Sequence, residues 1–445
     1  MANTYLTKTL GTPTNNKKFT FSCWVKRNGV TSTMDIFHAG SSGSDEAIMC
    51  RFESEGRITI KHDVGNSQEM LKQTNAIYKD SNAWYHIVTV FDTDNSTAED
   101  RQRIYVNGER ITEWLSGSDD NFSQGDDVLA NKAVSHSIGK RNFDSANYLD
   151  GVLSHVNFCD GQAYDASYFG ETDSTTGEWK IKTSPSVTYG NNGFFILKDG
   201  NSVTDQSGNS NNWTVSGGTL TQTEDCPSNV FATWNPLAQT LSSITYSNGN
   251  TVATMTGDVG QRQSISTLGM DSGKFYMECK LQAIGSTGGS YPYIGIVAQE
   301  KYDADTYLGG NGCGWHPTGD IYNGGSNSST GSTYTTGDII GVAVDVTNSK
   351  LYWHKNGTYI TIGGNVQNPS AGSYGFDISA RTAEGTLGFG VSSWNNSGIW
   401  QVNFGNGYFG TTQITSEGTN ASGIGKFEYD VPTGFTALST KGLNE

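Results

Sequence analysis

The sequence predicts an all-β protein of two antiparallel β-sandwich (jelly-roll) domains joined by a turn-rich segment. The first observation is composition: 16% of the 445 residues are charged, and 56 are glycine. Helical bundles are rich in Ala, Glu, Lys, Leu and Arg, whereas Thr, Tyr, Trp and Phe favour strands. The second is period-2 alternation in both halves of the chain. The third is an Asn-Gly pair between two strand-like runs in each half, which is a strong signal for a β-hairpin.

The first domain is predicted over residues 1–170. In residues 19–25 the apolar side chains alternate, as a half-buried strand requires. Residues 84–91 are apolar at nearly every position, which places them in the middle of a sandwich. Residues 103–106 and 109–111 flank Asn107-Gly108 and predict a hairpin with a type I′ turn. A return strand is predicted at 151–158.

The second domain is predicted over residues 241–425. Residues 274–281 alternate cleanly, residues 338–345 form a buried central strand, and Asn356-Gly357 joins a second hairpin. Residues 171–240 contain one clear strand and a turn-rich run, and we interpret them as a connecting segment with short strands, packed on its neighbours because one strand is not stable alone. Residues 426–445 are interpreted as a C-terminal tail.

Charge and cysteine content exclude several classes of function. With 28 basic and 44 acidic residues, the net charge of −16 argues against a nucleic-acid partner, because phosphate binding needs clustered Lys and Arg. The N-terminus has no apolar targeting segment, and the apolar runs are far shorter than the ~20 residues of a membrane span. We therefore expect no membrane insertion and synthesis in a cytoplasm. The six cysteines form no C-x-x-C pair and are predicted to be free thiols.

Two resemblances follow from these strands. Residues 19–26, 84–88 and 104–108 resemble a laminin-G-like, concanavalin-like jelly roll, and residues 337–345, 351–357 and 402–405 resemble a SPRY domain. Joined by segments such as 205–213 and 225–229, the combination is similar to structural proteins of tailed, marine-type bacteriophages. Fold resemblance alone does not specify a ligand.

The resemblance implies a non-enzymatic virion protein, a fibre, spike or capsid decoration, that displays recognition modules for host attachment. Its expected partners are other virion proteins and a host cell-surface glycan or receptor. It is expected to be a homo-oligomer, a trimer in the case of a fibre, and to reside on the virion after synthesis in the host cytoplasm. The alternatives are a purely structural subunit that binds other virion proteins, and a secreted carbohydrate-binding or glycosidase module.

Catalysis would need two carboxylates about 5 to 9.5 Å apart, as in glycosidases built on concanavalin-like sandwiches. The nearest pairs in the sequence, Asp92 with Asp94 and Asp303 with Asp305, fall at strand ends or in loops. No zinc-protease, P-loop or serine-elbow motif is present. We therefore predict that the protein is not an enzyme.

Carbohydrate binding would need an aromatic platform beside amide or backbone donors. Two loops, residues 307–316 and 394–400, combine these groups, and in the SPRY pattern such loops gather at the ligand-binding end. The candidate ligand-binding residues are Tyr307, Asn311, Trp315, Trp394, Asn395, Asn396 and Trp400. The alternative is that the Trp residues belong to the core.

Calcium is the one cofactor that the fold resemblance keeps open. Concanavalin-like folds hold this ion through loop oxygens, and Asp92, Asp94 and Asp205 are the candidate ligands. The alternative interpretation is that each carboxylate caps its own turn.

Overall fold

The computed structural model describes residues 3–198, 200, 202–238, 244–255, 260–284, 292–394 and 398–444. The chain divides into two compact units, unit 1 (Met1–Gln222) and unit 2 (Thr223–Glu445). With 44% strand and 5% helix, the prediction of an all-β fold is confirmed. In the described part of the chain, no helix is both long and apolar enough to cross a bilayer. The boundary at 222 divides the predicted connecting segment between the two units.

Unit 1 is built from two facing sheets. Its strands are β1 Tyr5–Thr9, β2 Lys18–Arg27, β3 Met34–Ser42, β4 Asp45–Phe52, β5 Ile58–Val64, β6 Ser67–Thr74, β7 Trp84–Asp92, β8 Gln102–Val106, β9 Glu109–Arg110, β10 Trp114–Asp119, β11 Ser135–Ile138, β12 Gly151–Asp160, β13 Gly170–Thr172, β14 Trp179–Ile181, β15 Phe194–Ile196 and β16 Thr214–Ser216. Short 3-10 helices span Ala98–Asp100, Leu129–Asn131 and Ala166–Tyr168.

The described strands of unit 1 pair into one eight-stranded and one six-stranded sheet. The first has the order β10-β6-β5-β4-β3-β11-β1-β16, the second β15-β12-β2-β7-β8-β9, and β13 pairs only with β14. The strand predicted at 84–91 is β7, which lies inside the six-stranded sheet between β2 and β8 and is buried on both faces. Phe19, Phe21, Cys23 and Val25 all face the core between the sheets. The alternation of apolar residues along β2 therefore correctly predicted which of its side chains face the core.

A second apolar layer covers the outer face of the six-stranded sheet. Val88 and Cys159 on that face pack against Phe169 and Trp179, which belong to the chain that follows β12. A Cβ built on Gly108 would lie 2.5 Å from the indole of Trp179. The indole Nε1 donates to Nδ1 of His86 at 2.9 Å. Residues 171–222, the first part of the connecting segment predicted at 171–240, thus belong to unit 1.

Unit 2 repeats the two-sheet plan. Its strands are β17 Ile244–Ser247, β18 Val252–Met255, β19 Gln261–Ile265, β20 Lys274–Ala283, β21 Tyr293–Ala298, β22 Cys313–Trp315, β23 Asp320–Asn323, β24 Ser326–Ser329, β25 Ile339–Asp345, β26 Lys350–Lys355, β27 Thr358–Tyr359, β28 Thr361–Ile362, β29 Asn365–Val366, β30 Phe376–Asp377, β31 Leu387–Trp394, β32 Gly398–Asn403, β33 Tyr408–Phe409, β34 Thr412–Gln413 and β35 Thr436–Ala437. The helices are α1 Leu308–Asn311, α2 Ser379–Thr382 and short 3-10 turns at Gln299–Lys301 and Gly442–Asn444.

The described strands of unit 2 form a nine-stranded and a six-stranded sheet. The nine-stranded sheet runs β17-β18-β32-β20-β25-β26-β27, with β30 on β26 and β35 parallel to β20. The six-stranded sheet runs β19-β31-β21-β22-β23-β24, and the pairs β28-β29 and β33-β34 stand apart. Phe275, Met277, Cys279 and Leu281 face the core, as the alternation predicts.

The C-terminal residues pack against the outer face of the nine-stranded sheet. Phe427 and Phe435 lie with Tyr276 and Tyr352 in a separate apolar cluster. The buried carboxylate of Glu278 accepts the backbone N–H groups of residues 428 and 429 at 2.8 and 2.7 Å. Residues 426–445 are therefore a structural layer of unit 2, in contrast to the predicted tail.

Both predicted Asn-Gly hairpins are confirmed. Asn107 and Gly108 have φ values of 49° and 87°, and Asn356 and Gly357 have 49° and 82°. These are the two consecutive left-handed residues that a type I′ turn needs. The flanking strands pair as β8 with β9 and β26 with β27.

Candidate functional site

A row of three glycines crosses the outer face of the six-stranded sheet of unit 2. Gly295 of β21 pairs with Gly390 on one side and Gly314 on the other. The absent side chains leave room for Leu308 of α1, which is fully buried. A Cβ on Gly390 or Gly314 would lie 2.8 or 3.1 Å from the Leu308 side chain. The three glycines, which we refer to as the glycine row, therefore form the surface on which α1 packs against the sheet.

Polar contacts hold α1 at its two ends. The backbone N–H of Leu308 donates to Ser392 Oγ at 3.0 Å. At the other end the Asn311 and Gln263 side-chain amides exchange two hydrogen bonds of 3.2 Å, and Asn311 Nδ2 also donates to the Lys301 carbonyl at 2.9 Å. Asn311 is predicted to direct hydrogen bonds to a ligand. In the structure its side-chain amide instead hydrogen-bonds to Gln263 and Lys301 and positions α1.

Four aromatic rings gather beside α1, and we refer to Tyr293, His316, Tyr307 and Tyr322 as the tyrosine patch. Tyr293 lies at the centre, with ring centroids 5.4 Å from Tyr307, 5.4 Å from Tyr322 and 4.9 Å from His316. Tyr293 is 4% exposed, whereas Tyr307 and Tyr322 are half-buried. The patch therefore has a buried centre and two rings that reach solvent.

The tyrosine patch is electrically neutral near pH 7. Burial lowers the pKa of His316 to about 4. Its Nδ1 lies 2.7 Å from Thr318 Oγ1 and accepts the Thr318 N–H at 3.3 Å, which fixes the ring orientation. Within the described residues, the hydroxyls of Tyr307 and Tyr322 make no hydrogen bond, so both remain available to a ligand.

A polar edge strand borders the patch. All four residues of β24 are exposed, and Asn327 stands directly opposite Tyr322 across the β23–β24 pair. Cross-strand partners lie on the same face of a sheet with their Cβ atoms about 5 Å apart. Amide and hydroxyl groups therefore rim the aromatic rings on this side.

Two predicted platform residues belong to the core. Trp315 and Trp400 are both 0% exposed, which contradicts the prediction that they form or border an exposed patch. Trp315 packs against Tyr334 at 4.7 Å, and Trp400 Nε1 donates to Ser393 Oγ at 3.2 Å. The physical reason is strand parity: both side chains point between the sheets, where burial of a large aromatic ring is favourable.

The remaining predicted residues are only partly brought together. Tyr307 and Asn311 lie at the two ends of α1. Trp394 is half-buried and, two residues beyond Ser392, lies on the same sheet face as α1. Asn395 and Asn396 lie outside the described residues. Sequence reasoning missed Tyr293 and Tyr322, although Gly388 and Gly390, which alternate with apolar residues along β31, are a signal that a segment covers this face.

The candidate calcium ligands do not form a site. Asp205 accepts the backbone N–H groups of Phe195, Ser207 and Asn211, each at 2.8 Å, so hydrogen-bond donors surround both carboxylate oxygens. Asp92 faces Lys18 at 3.3 Å, and Asp94 faces Lys17 at 3.8 Å. In the part of the chain that the structure describes, no cluster of three or more His, Cys, Asp or Glu could hold a metal ion. Asp92, Asp94 and Asp205 therefore do not fit a calcium ion.

The sequence model of the concanavalin A-like lectin/glucanases superfamily, of laminin-G type, matches residues 2–167. Residues 2–167 have the concanavalin A-like fold. The predicted laminin-G-like jelly roll of the first domain is thereby confirmed. The superfamily includes both non-enzymatic proteins and glycosidases, so the match leaves binding and hydrolysis open.

Three solved structures are similar to this chain at low sequence identity. The SPRY domain of human HERC1 is 18% identical, covering 38% of this chain and 96% of that one, with a TM-score of 0.30. A SAP-like pentraxin from Limulus polyphemus is 17% identical, covering 49% and 88%, at a TM-score of 0.31. Domains LG4-5 of the mouse laminin alpha1 chain are 11% identical, covering 90% of this chain and 87% of that one, with a TM-score of 0.28. Similarities of this size carry no information about a ligand. No curated protein matches the chain.

Proposed function

We propose that the protein is a non-enzymatic binding protein and that unit 2 takes a neutral carbohydrate on the tyrosine patch. The observation that carries this proposal is the pair of half-exposed rings, Tyr307 and Tyr322, whose hydroxyls have no partner among the described residues. Sugars combine apolar C–H faces with hydroxyls, so aromatic rings with a polar rim suit them. β24 supplies that rim.

The patch is preorganised, which favours binding. Tyr322 is held on β23, and Tyr307 precedes a helix whose Leu308 is locked in the glycine row. Tyrosine has few rotatable bonds, so little conformational entropy is lost when a ligand packs on its ring.

Three carboxylates of unit 2, those of Asp303, Asp305 and Glu278, do not support the glycosidase alternative. Asp303 accepts from the Asp305 N–H and from Thr306 Oγ1, which is a turn cap. Asp305 lies 3.8 Å from Arg262. Glu278 is buried, and its oxygens are occupied by four donors. A glycosidase needs an acid and a second carboxylate that both reach the sugar.

The resemblance to tailed-bacteriophage structural proteins supplies the biological setting of the proposal. Displayed on a virion as a fibre, spike or decoration, the patch would attach the particle to a glycan on the host surface. A homo-oligomer, a trimer in a fibre, would present several patches at once, and multivalency raises avidity without a new contact.

The test is a glycan array followed by titration of the best neutral oligosaccharide. Tyr307→Ala and Tyr322→Ala should each weaken binding by about 2 kcal/mol, as for an aromatic anchor. Tyr374→Ala is the matched control, because Tyr374 is also in unit 2 and is 55% exposed. It should bind as the parent does.

Two outcomes would overturn the proposal. The first is an array on which the parent protein binds no glycan while it binds other virion proteins, which is the result that a purely structural subunit gives. The second is undiminished binding by both patch variants.

A further inference from the structure

Lys140 of unit 1 occupies a position shaped by three parts of the chain. It follows β11 in a loop closed by the backbone bonds Leu149 N–H to Gly139 O, 2.9 Å, and Arg141 N–H to Ala146 O, 3.2 Å. These bonds set Lys140 and Tyr148 on opposite arms of the loop. The neighbouring strand β1 pairs with β11 and carries Tyr5.

The lysine ammonium lies against two tyrosine rings. Nζ is 4.4 Å from the ring centroid of Tyr5 and 5.7 Å from that of Tyr148. The two rings are 6.1 Å apart and inclined at 59°. Aromatic faces attract a cation electrostatically, and Lys140, which is only 7% exposed, packs against both rings.

This ammonium makes no hydrogen bond within the described residues, and its charge interaction is with Asp144, whose pKa the Arg141 hydrogen bond and, to a smaller extent, Lys140 lower. Other buried lysines do make hydrogen bonds: Lys72 Nζ lies 2.7 Å from Asp119, and Lys26 Nζ donates to Asn82 at 3.0 Å. The hydroxyls of Tyr5 and Tyr148 also make no hydrogen bond within the described part of the chain. Three donor groups on one small site therefore lack an acceptor.

We propose that Lys140, Tyr5 and Tyr148 form a second binding site, which takes a carboxylate-bearing sugar of the uronic-acid type. The carboxylate accepts from Nζ and from the phenol hydroxyls, and the apolar face of the sugar packs on a tyrosine ring. The net charge of −16 repels anions at long range, so recognition depends on these short-range contacts. The site is in unit 1 and does not depend on the tyrosine patch of unit 2.

The test is calorimetric titration of the full chain with methyl glucuronide, with methyl glucoside as the neutral control and sodium sulfate as the simple anion. The glucuronide should bind saturably and at least about tenfold more tightly than either control, because a hydrogen bond to a charged group is stronger than a neutral one. Tyr374→Ala, at an exposed tyrosine of unit 2 that belongs to neither proposed site, should bind it as the parent does.

Two lysine variants complete the design. Lys140→Met keeps the apolar stem between the rings and should lose at least about tenfold in affinity. Lys132→Met makes the same charge change at a half-exposed lysine 3.5 Å from Asp127 and should stay within about twofold.

Equal binding of glucuronide and glucoside, equally tight binding of sulfate, or full affinity in Lys140→Met would each overturn the proposal. Should Lys140→Met melt far below the parent, Tyr148→Phe keeps the ring and removes one donor. Its affinity for the glucuronide should then fall while that for the glucoside does not.

Discussion

The hydroxyl of Tyr276 lies 2.7 Å from Nε2 of the buried His354. Because His354 Nδ1 accepts the Gly357 N–H at 3.1 Å, and burial lowers the pKa of His354 to about 4, the neutral ring carries its hydrogen on Nε2. His354 therefore donates to Tyr276, and Tyr276 donates to Glu278 Oε1 at 3.0 Å. The chain of hydrogen bonds ends on the carboxylate that holds the C-terminal layer.

The first prediction concerns pH. Burial raises the pKa of Glu278 from 4.5 to about 7, although its hydrogen-bond donors act in the opposite direction. Between these values the folded chain binds a proton that the unfolded chain has released, so this group's stabilising contribution is complete below pH 4.5 and is lost as pH rises through 7. Relative to Glu278→Gln, the parent should lose about 2 to 3 kcal/mol of unfolding free energy between pH 5 and 8.

Urea denaturation of the full chain at several pH values measures this difference. Glu417→Gln, at an exposed glutamate in unit 2, is the control and should track the parent at every pH. Parallel pH curves for the parent and Glu278→Gln would contradict the prediction.

The second prediction separates two tryptophans of the same region. Trp400→Ala should reduce the unfolding free energy by about 3 to 5 kcal/mol, because it empties a fully buried site. Trp394→Ala should reduce it clearly less, because part of that ring already contacts water. Comparable denaturation midpoints for the two variants would show that the burial difference is not real.

The third prediction concerns Gly108. Gly108→Ala should destabilise the chain by more than about 1 kcal/mol, because a left-handed backbone and the indole of Trp179 both oppose a side chain. Gly65→Ala isolates the backbone effect, since Gly65 has φ 58° and no atom lies within 4 Å of the position that its new methyl group would take. Thermal unfolding and Trp179 fluorescence should change more in the first variant; an equal change would refute the contact.

The fourth prediction concerns thiols. All six cysteines are free, and five are buried, with only Cys226 partly exposed. Burial raises the pKa of Cys23, Cys159 and Cys313, which suppresses the reactive thiolate. A thiol reagent such as DTNB should modify one cysteine rapidly in the native chain and all six in denaturant. Rapid modification of two or more, or retention of the rapid phase in Cys226→Ser, would be inconsistent with this burial.

Local patterns predicted the elements whose stability is local. Alternation placed Phe275 and Met277 inward, and Asn-Gly pairs predicted both hairpins. Contacts between distant residues could not be predicted in this way. Trp213 enters the core of unit 1 from the segment interpreted as a connector. Trp315 lies on a three-residue strand, where no pattern shows which face a side chain takes.

The candidate site shows the same division. The sequence drew attention to Tyr307 because aromatic and amide residues cluster around it. Tyr293 and Tyr322 could not be assigned to the patch from the sequence, because only the pairing of β21, β22 and β23 brings these two residues together.

The glycine row keeps the packing of the sheet separate from the side chains of the loop that contains α1. Leu308 fills the space above the glycine row, whereas Ile294 and Ile296 face the core on the opposite side of the sheet. The loop that carries α1 and the core of unit 2 therefore share few side chains. Substitutions around Tyr307 can therefore accumulate without disturbing the sandwich. The proposed carbohydrate preference of unit 2 could therefore change on an unchanged scaffold.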